Sequence, residues 1–291
     1  MENNIQYSYI IPTYNRSKTI IKTINSVLNQ DRHDYEVIIV DDGSTDNTKG
    51  KISDILSDRR VTYLYQKNSG VSVARNFGEK NATGKYLIFL DSDDLINKNQ
   101  LEVFDSILDK DIVKELDIGV FFTNYEYYYN NDGEPENNIP RENLVEGVYN
   151  NFFLDFILGT QPFLVGCVCI RRDIFKNSNK FLPDRSFGED QSLWVDLACD
   201  EYIYSSNEFT FKYRQLTEDS LMKRKVDSLP PDINNVHHRL ISGEHRRVEA
   251  YQLRNYLRRR YISFLKLAIK DINLSLFSQV LKGYISLLRK N

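Results

Sequence analysis

The chain has 291 residues, 41% hydrophobic and 27% charged, with a formal net charge of −3. That is enough apolar content for one large α/β domain plus a smaller part, and the balance argues against a nucleic-acid surface. No run approaches the ~18 apolar residues of a membrane span, and Met1–Gln6 lacks the basic start and apolar stretch of a signal peptide, so a cytoplasmic protein is expected. Charge is uneven: from Arg239 onward there are 12 Lys or Arg against 3 Asp or Glu, whereas the preceding residues carry 26 against 38. Cys167, Cys169 and Cys199 are odd in number and lie in apolar surroundings, so they read as reduced core residues.

Residues Gln6–Ile11 form a β-branched and aromatic strand ended by Pro12, followed by the loop Thr13–Arg16 and a helix that Ser17 is expected to cap. Ile20, Ile21, Ile24, Val27 and Leu28 recur at helical spacing. A second strand, Glu36–Val40, ends in Asp41-Asp42-Gly43-Ser44-Thr45-Asp46, and the next helix carries Ile52, Ile55 and Leu56. Val61–Tyr65 is a third strand, and Asn68-Ser69-Gly70 leads into a helix around Val73–Lys80. The chain then returns through the apolar strand Leu87–Leu90, which stops in Asp91-Ser92-Asp93-Asp94.

This β-α-β-α-β-α-β order predicts a doubly wound, mostly parallel sheet flanked by helices. Parallel strands would bring the polar clusters at 12–16, 41–46 and 91–94 to one edge of the sheet, where open α/β sheets bind ligands. Three carboxylates within four positions repel one another unless something positive sits among them. Hard oxygen ligands suit Mg²⁺ or Mn²⁺; the competing reading is a polar loop whose Asp94 caps a helix over Asn97–Leu108. No G-x-G-x-x-G follows the first strand, which disfavours a dinucleotide site, and no P-loop pattern occurs, which removes that reading.

Ile10–Asn15, Val40–Asp46, Asn68-Ser69-Gly70 with Ala74-Arg75-Asn76, and Leu90–Asp94 resemble, in order and spacing, the family 2 glycosyltransferases of the GT-A fold. The resemblance implies inverting transfer of a sugar from a nucleotide-sugar donor, with UDP the commonest nucleotide, assisted by Mn²⁺ or Mg²⁺. Carried over, Pro12, Thr13, Tyr14 and Asn15 would line the nucleoside pocket, and Asp41 would accept a hydrogen bond from the base with Asp42 beside it. Arg75 and Asn76 match donor-contacting positions. Asp91, beside Ser92, would reach the ribose or the metal, and Asp93 would be the main metal ligand. The pattern assigns Asp94 no clear role.

Further on, Asp117–Tyr125 reads as a strand, and Asn130–Gly133 after Tyr125, Tyr127, Tyr128 and Tyr129 is a hairpin signal. Those tyrosines suit either stacking on an acceptor sugar or packing a sheet face. Asn137–Asn151, with Pro140, reads as a loop or short helix, Phe152–Leu158 as a buried helix and Val165–Ile170 as a strand. Glu189-Asp190 follows Gly188 at a predicted helix N-terminus, where negative charge is stabilised. The pair resembles the family's acidic motif, with Asp190 as the base and Glu189 orienting the acceptor or the loop; a plain N-cap pair is the alternative. Gln191-Ser192-Leu193-Trp194 lacks the arginine of processive relatives, so a single-addition enzyme is expected. Phe211–Arg214 with Asp219-Ser220-Leu221 resembles the segment closing over the diphosphate, with Arg214 and Ser220 as donors to it.

Residues 231–291 form a basic helical extension beyond a catalytic domain at 1–230, itself divided into a nucleotide-binding half (1–110) and an acceptor half (111–230). Leu253, Tyr256, Leu257, Tyr261, Phe264, Leu265, Ala268 and Ile269 recur at helical spacing among Arg254, Arg258, Arg259, Arg260, Lys266 and Lys270. Such helices either pack on protein, including a second copy, or lie on an anionic membrane at its inner face, near a saccharide or lipid-linked acceptor. Two other functions fit the front half: a nucleotidyltransferase, disfavoured because 12–16 has no glycine, and a non-catalytic nucleotide-binding module.

Overall fold

The computed structural model describes residues 5–129, 136–140, 144–158, 164–183, 188–215 and 228–288. Its contacts divide the chain into two units. Unit 1 comprises 1–149, 163–184 and 202–219; unit 2 comprises 150–162, 185–201 and 220–291. The segments interleave along the chain, so the grouping differs from a single boundary at 230.

Unit 1 is a sheet in the order β3-β2-β1-β4-β9-β6-β10-β5, where β7 also pairs with β6 and β8 with β10. The strands are β1 (Tyr7–Thr13), β2 (Tyr35–Asp41), β3 (Val61–Tyr65), β4 (Tyr86–Phe89), β5 (Leu95–Ile96), β6 (Val120–Tyr129), β7 (Glu136–Pro140), β8 (Gly147–Val148), β9 (Val168–Arg171) and β10 (Ile203–Gln215). β1 pairs parallel with β2 and β4, and β2 with β3. β9 is antiparallel to both β4 and β6, and β10 is parallel to β6. Six strands therefore share one direction, and the C-terminal ends of β1, β2, β4 and β10 lie on one edge. Every residue of β1 and β4 is buried, as expected for strands covered on both faces.

Helices α1 (Ile20–Leu28) and α3 (Val71–Asn81) complete the crossovers. A side chain at Gly78 of α3 would come within 2.4 Å of the Ile10 Cγ2, so this helix needs glycine to approach β1. Rings of Tyr7, Tyr86, Phe104 and Phe121 pack in sequence beneath the sheet. The three cysteines are buried and form no disulfide.

Several local expectations change. Pro12 does not end the first strand but sits inside β1. The Gln6 and Ile10 carbonyls accept from Tyr86 and Leu90 N–H groups, so the even-numbered residues face β4. Pro12 is next in that series, past the last β1–β4 pair, where no N–H is required. Thr19, not Ser17, is the N-cap of α1. The Ile52 region forms only α2 (Thr48–Lys51) and a 3₁₀ turn, Ile55–Ser57. Residues Leu95–Ile96 are strand, so helix α4 is shorter than expected, Gln100–Leu108, and Asn99 is its cap. A short helix α5 (Asp111–Glu115) precedes β6. Within Asn137–Asn151, residues to Pro140 are strand and Gly147–Val148 is a second short strand; Pro140 closes β7, where a missing donor is tolerated. Of the tyrosines in β6, Tyr125 and Tyr128 are buried and pack the sheet, whereas Tyr127 is half-buried. The stretch from Val165 opens as a 3₁₀ turn before β9, and α7 (Arg172–Asn177) follows. The hairpin signal at Asn130–Gly133 lies outside the described residues.

Unit 2 contains α6 (Phe152–Leu158), α8 (Glu189–Asp200), α9 (Pro231–Ser242), α10 (Ala250–Lys270) and α11 (Leu274–Leu288). The α10 stripe is a packing face: Leu253, Tyr256, Leu257, Tyr261, Phe264 and Ala268 are buried. Ile269 departs from it, at 61% exposed. Arg260 departs from the basic face: its guanidinium forms a bidentate pair with the fully buried Asp232, at 2.9 and 2.8 Å. The Tyr256 hydroxyl donates to the same carboxylate at 2.7 Å, and the Phe156 and Phe264 rings flank the cation. Arg260→Ala leaves a buried charge without its partner, so it should lower unfolding free energy by about 3–5 kcal/mol in urea titrations. Asp232→Leu with Arg260→Met should recover most of that loss.

Candidate functional site

Every cluster singled out at a strand end lies on the common edge of unit 1, but the side chains divide into those that build the edge and those that face out of it. Asn15 builds it. It holds a left-handed backbone (φ 54°), which asparagine tolerates better than most residues. Its side-chain oxygen accepts from the Thr45 and Asp46 N–H groups at 2.8 and 3.2 Å, and its own N–H donates to Ser44 Oγ at 2.9 Å. The loop after β1 is thereby tied to the loop after β2. Thr13 is buried, whereas Tyr14 is 46% exposed beside it.

Asp41 and Asp42 are both buried and do different work. Asp41 accepts from the Ser44 N–H and from the Tyr63 hydroxyl, each at 2.7 Å. Burial, then Asp41 itself, pushes the Tyr63 phenol above its usual range, so Tyr63 stays protonated and donating. Asp42 accepts from Gln66 Nε2 at 2.7 Å and from the Ser69 and Gly70 N–H groups at 2.8 Å. It therefore pins the loop that starts α3, with Gly70 at φ 93°.

Asp91, Ser92, Asp93 and Asp94 follow β4. Arg75, on α3 and 2% exposed, donates to Asp91 Oδ1 at 2.7 Å while its guanidinium lies 4.9 Å from the Phe181 ring centre. Asp91 is otherwise open, its side chain 36% exposed. Asn76 faces a different task from Arg75: its amide both donates to and accepts from the Phe181 backbone, at 2.7 and 3.3 Å. Ser92 is buried, with its carbonyl accepting from Thr19. The Asp93 carboxylate lies 3.5 Å from Arg16, and its carbonyl accepts from the Tyr128 hydroxyl at 2.7 Å. Burial pushes the Asp93 carboxyl upward, with Arg16 opposing the shift and Asp91 adding to it.

Asp94 does not cap α4. It is 3% exposed and accepts the Arg214 N–H at 2.8 Å, tying the end of β4 to the end of β10. Burial pushes it well above the usual carboxylate range, and Asp93 and Asp91 add to that. Arg214 thus reaches the acidic cluster from β10, a strand paired on both sides, whereas Ser220 lies outside the described residues. Among the described residues no group of three or more His, Cys, Asp or Glu side chains is placed to hold a metal. Two carboxylates with added phosphate oxygens are nonetheless a usual Mg²⁺ donor set. A desolvated Asp93 beside a half-open Asp91 fits such a cation.

The sequence gives no sign of Tyr63, Gln66 or Phe181 at the site, and it offers Arg16 and Tyr128 only as members of a polar cluster and of a tyrosine run. For Arg16 the signal is a cation beside an acidic edge; Tyr63, Gln66 and Phe181 meet the site only through tertiary pairing.

In unit 2, Glu189 and Asp190 open α8, with Gly188 as its left-handed N-cap (φ 75°). A side chain at Gly188 would lie 3.1 Å from Pro230 Cβ and 3.7 Å from Asp232 Oδ1. The Asp232–Arg260 pair therefore sits against the start of α8, and Asp190 is among the charges that hold the Arg260 guanidinium protonated, after Asp232 and Tyr256.

The sequence pattern described as Glycosyl transferase family 2 matches residues 8–177. An "Uncharacterized glycosyltransferase" of Rickettsia felis is 34% identical over 205 residues, 69% of this chain and 31% of that protein. The chain thus spans about a third of that relative's length. "UDP-Glc:alpha-D-GlcNAc-diphosphoundecaprenol beta-1,3-glucosyltransferase WfgD" of Escherichia coli is 31% identical over 76% of this chain and 81% of its own. Among solved structures, Staphylococcus aureus TarS 1–349 in complex with UDP-GlcNAc superposes with a TM-score of 0.73 at 21% identity, over 98% of this chain and 81% of that one, which shows a shared GT-A fold.

Asp42→Ala should release the Ser69–Gly70 loop, speeding hydrogen exchange of those amides and costing about 1–3 kcal/mol of stability. For Asp94 the sign runs the other way. Its folded-state proton affinity exceeds that of the unfolded chain, so stability falls as pH rises through the folded-state value. Asp94→Asn keeps an acceptor for Arg214 and should melt higher than the parent at alkaline pH, with the two converging in acid.

Proposed function

The chain belongs to glycosyl transferase family 2, and from that premise we propose that it transfers a sugar from a UDP-sugar to a hydroxyl of a saccharide or lipid-linked acceptor. The product would be a bacterial surface polysaccharide or glycoconjugate. One observation carries the reading: the ends of β1, β2, β4 and β10 meet on one sheet edge, with Asp41, Asp91 and Asp93 gathered there beside Arg16, Arg75 and Arg214. That edge offers carboxylates for a base, a ribose and a cation, together with guanidinium groups suited to a diphosphate. The printed names of the relatives support the finer choice, UDP-Glc and diphosphoundecaprenol for WfgD and UDP-GlcNAc for TarS.

In this reading Asp41 takes the base, Tyr14 and Thr13 flank the nucleoside, and Asp91 reaches the ribose. Asp93, with Asp91, would hold Mg²⁺ or Mn²⁺, which when bound supplies positive charge to the departing diphosphate. Arg75 orients Asp91, and Asn76 fixes the Phe181 backbone against which Arg75 lies. Arg214, with Ser220, donates to the leaving group as its charge grows.

Asp190 is the base. As the acceptor oxygen bonds to the anomeric carbon on the face opposite the diphosphate, the acceptor proton passes to Asp190, the bond from that carbon to the diphosphate oxygen breaks, and the configuration inverts. Glu189 orients the acceptor. A cytoplasmic location at the inner membrane face suits a lipid-linked acceptor; among the described residues no helix is long and apolar enough to cross a membrane.

A nucleotidyltransferase would attach the nucleotide to its product instead of releasing UDP, and a binding module would release nothing. UDP release coupled to acceptor glycosylation, scored by mass, separates the three. Asp190→Asn should lower kcat by about 10²–10⁴-fold while the donor KM stays nearly constant. Unchanged turnover in that variant would remove Asp190 from the reaction.

A further inference from the structure

The turn between α10 and α11 combines two features a soluble helical hairpin normally avoids. Lys270 ends α10, the Ile272 N–H returns to the Ile269 carbonyl at 3.2 Å, and the Asn273 N–H returns to the Ala268 carbonyl at 2.9 Å. This is a Schellman closure, whose left-handed position usually holds glycine. Here that position is Ile272, with φ 51°, and its side chain is 84% exposed. A β-branched residue in this conformation is a genuine outlier, and backbone strain of this kind concentrates at functional positions. Asn273 then caps α11, its side-chain oxygen accepting the Leu276 N–H at 3.0 Å. The corner is thus fixed on both sides while it holds an isoleucine in water. Ile269 and Leu274 flank it at 61% and 79% exposed.

Around the three apolar side chains basic residues outnumber acidic ones, with Asp271 in the corner as the exception. Lys266 and Lys270 are exposed beside the corner, and Arg258 and Arg259 continue the exposed side of α10, which also carries Tyr251 and Ile262. From Ala250 to the end of the chain Asp271 is the sole acidic residue. Arg260 of this helix is turned inward to the buried Asp232.

We propose that the α10–α11 corner is a membrane-docking element, which seats Ile269, Ile272 and Leu274 in the interface of an anionic bilayer while the surrounding lysines and arginines bind its headgroups. Apolar insertion combined with cationic contact is the arrangement by which peripheral segments hold anionic lipid. A second copy of the chain is the poorer occupant. A two-fold contact through this corner would bring two net-positive surfaces together, each with four exposed basic residues, Arg258, Arg259, Lys266 and Lys270, against one acidic residue, Asp271. Docking here is independent of the transfer chemistry, and its test needs no substrate.

The test is co-sedimentation of the 291-residue chain with vesicles of equimolar phosphatidylcholine and phosphatidylglycerol, beside vesicles of phosphatidylcholine alone, with melting and light-scattering mass measured on each variant. The parent chain should partition onto the anionic vesicles only. Ile269→Ser with Leu274→Ser, and Lys266→Glu with Lys270→Glu, should each weaken partitioning roughly tenfold. Ile272→Gly is the decisive variant: relief of the left-handed isoleucine should raise Tm while partitioning falls, a combination no loss of folding can produce. The proposal is overturned if the parent chain stays in the supernatant with anionic vesicles. It is equally overturned if Ile272→Gly melts higher and binds vesicles as the parent does, or if the corner variants abolish a dimer and leave vesicle binding intact.

Discussion

Ending a buried strand in three carboxylates is the constraint on which unit 1 turns. Desolvation and neighbouring carboxylates both oppose ionisation of Asp93 and Asp94, and the surrounding elements answer each residue of the cluster separately. Arg75 comes from α3 to Asp91, Arg16 from the loop after β1 to Asp93, and the Arg214 backbone from β10 to Asp94. Tyr128 of β6 adds a hydrogen bond to the Asp93 carbonyl. Four parts of the fold thus converge on one tetrapeptide. Those contacts leave the outer side of Asp91 open, where the proposed donor chemistry would need it.

A related device recurs in unit 2. The Asp232 carboxylate is withdrawn completely from water and answered by Arg260 in bidentate geometry, with Tyr256 completing its hydrogen bonds. Because this pair lies against Gly188, the start of α8 is held by residues of α9 and α10. The C-terminal helices are therefore part of the support of Glu189 and Asp190, and their contacts group them with residues 185–201. An arginine that reads in sequence as one of a basic stripe is the cation that the acidic helix start rests on.

What was legible in the sequence follows from what is periodic. The strands β1 to β4 and the clusters after them stand out because apolar runs and acidic ends alternate, and parallel pairing then fixes which ends share an edge. The family pattern supplied the same residues in order. Leu95–Ile96 and Glu136–Pro140 were illegible for a local reason: two residues are too few for a period, and a proline marks a strand end only once its partner is known. The contacts of Tyr63, Tyr128 and Phe181 are tertiary, since nothing in a tyrosine's neighbours says that its hydroxyl reaches an aspartate 22 positions away. Arg260 and Ile272 show the same limit from opposite sides. One was expected in solvent and is inside; the other is apolar and stands in solvent because a helix ends beneath it.

In the proposed function the carboxylates after β4 complete a cation-assisted nucleotide site. Calorimetric titration of UDP, GDP, CDP and dTDP in Mn²⁺ and again in a chelator tests it most directly, with Asp93→Ala in parallel. UDP should bind in the presence of the cation, and binding should collapse both on chelation and in Asp93→Ala while the variant still melts cooperatively. Failure of every nucleotide to bind, or UDP binding that persists unchanged in the chelator and in Asp93→Ala, would contradict it.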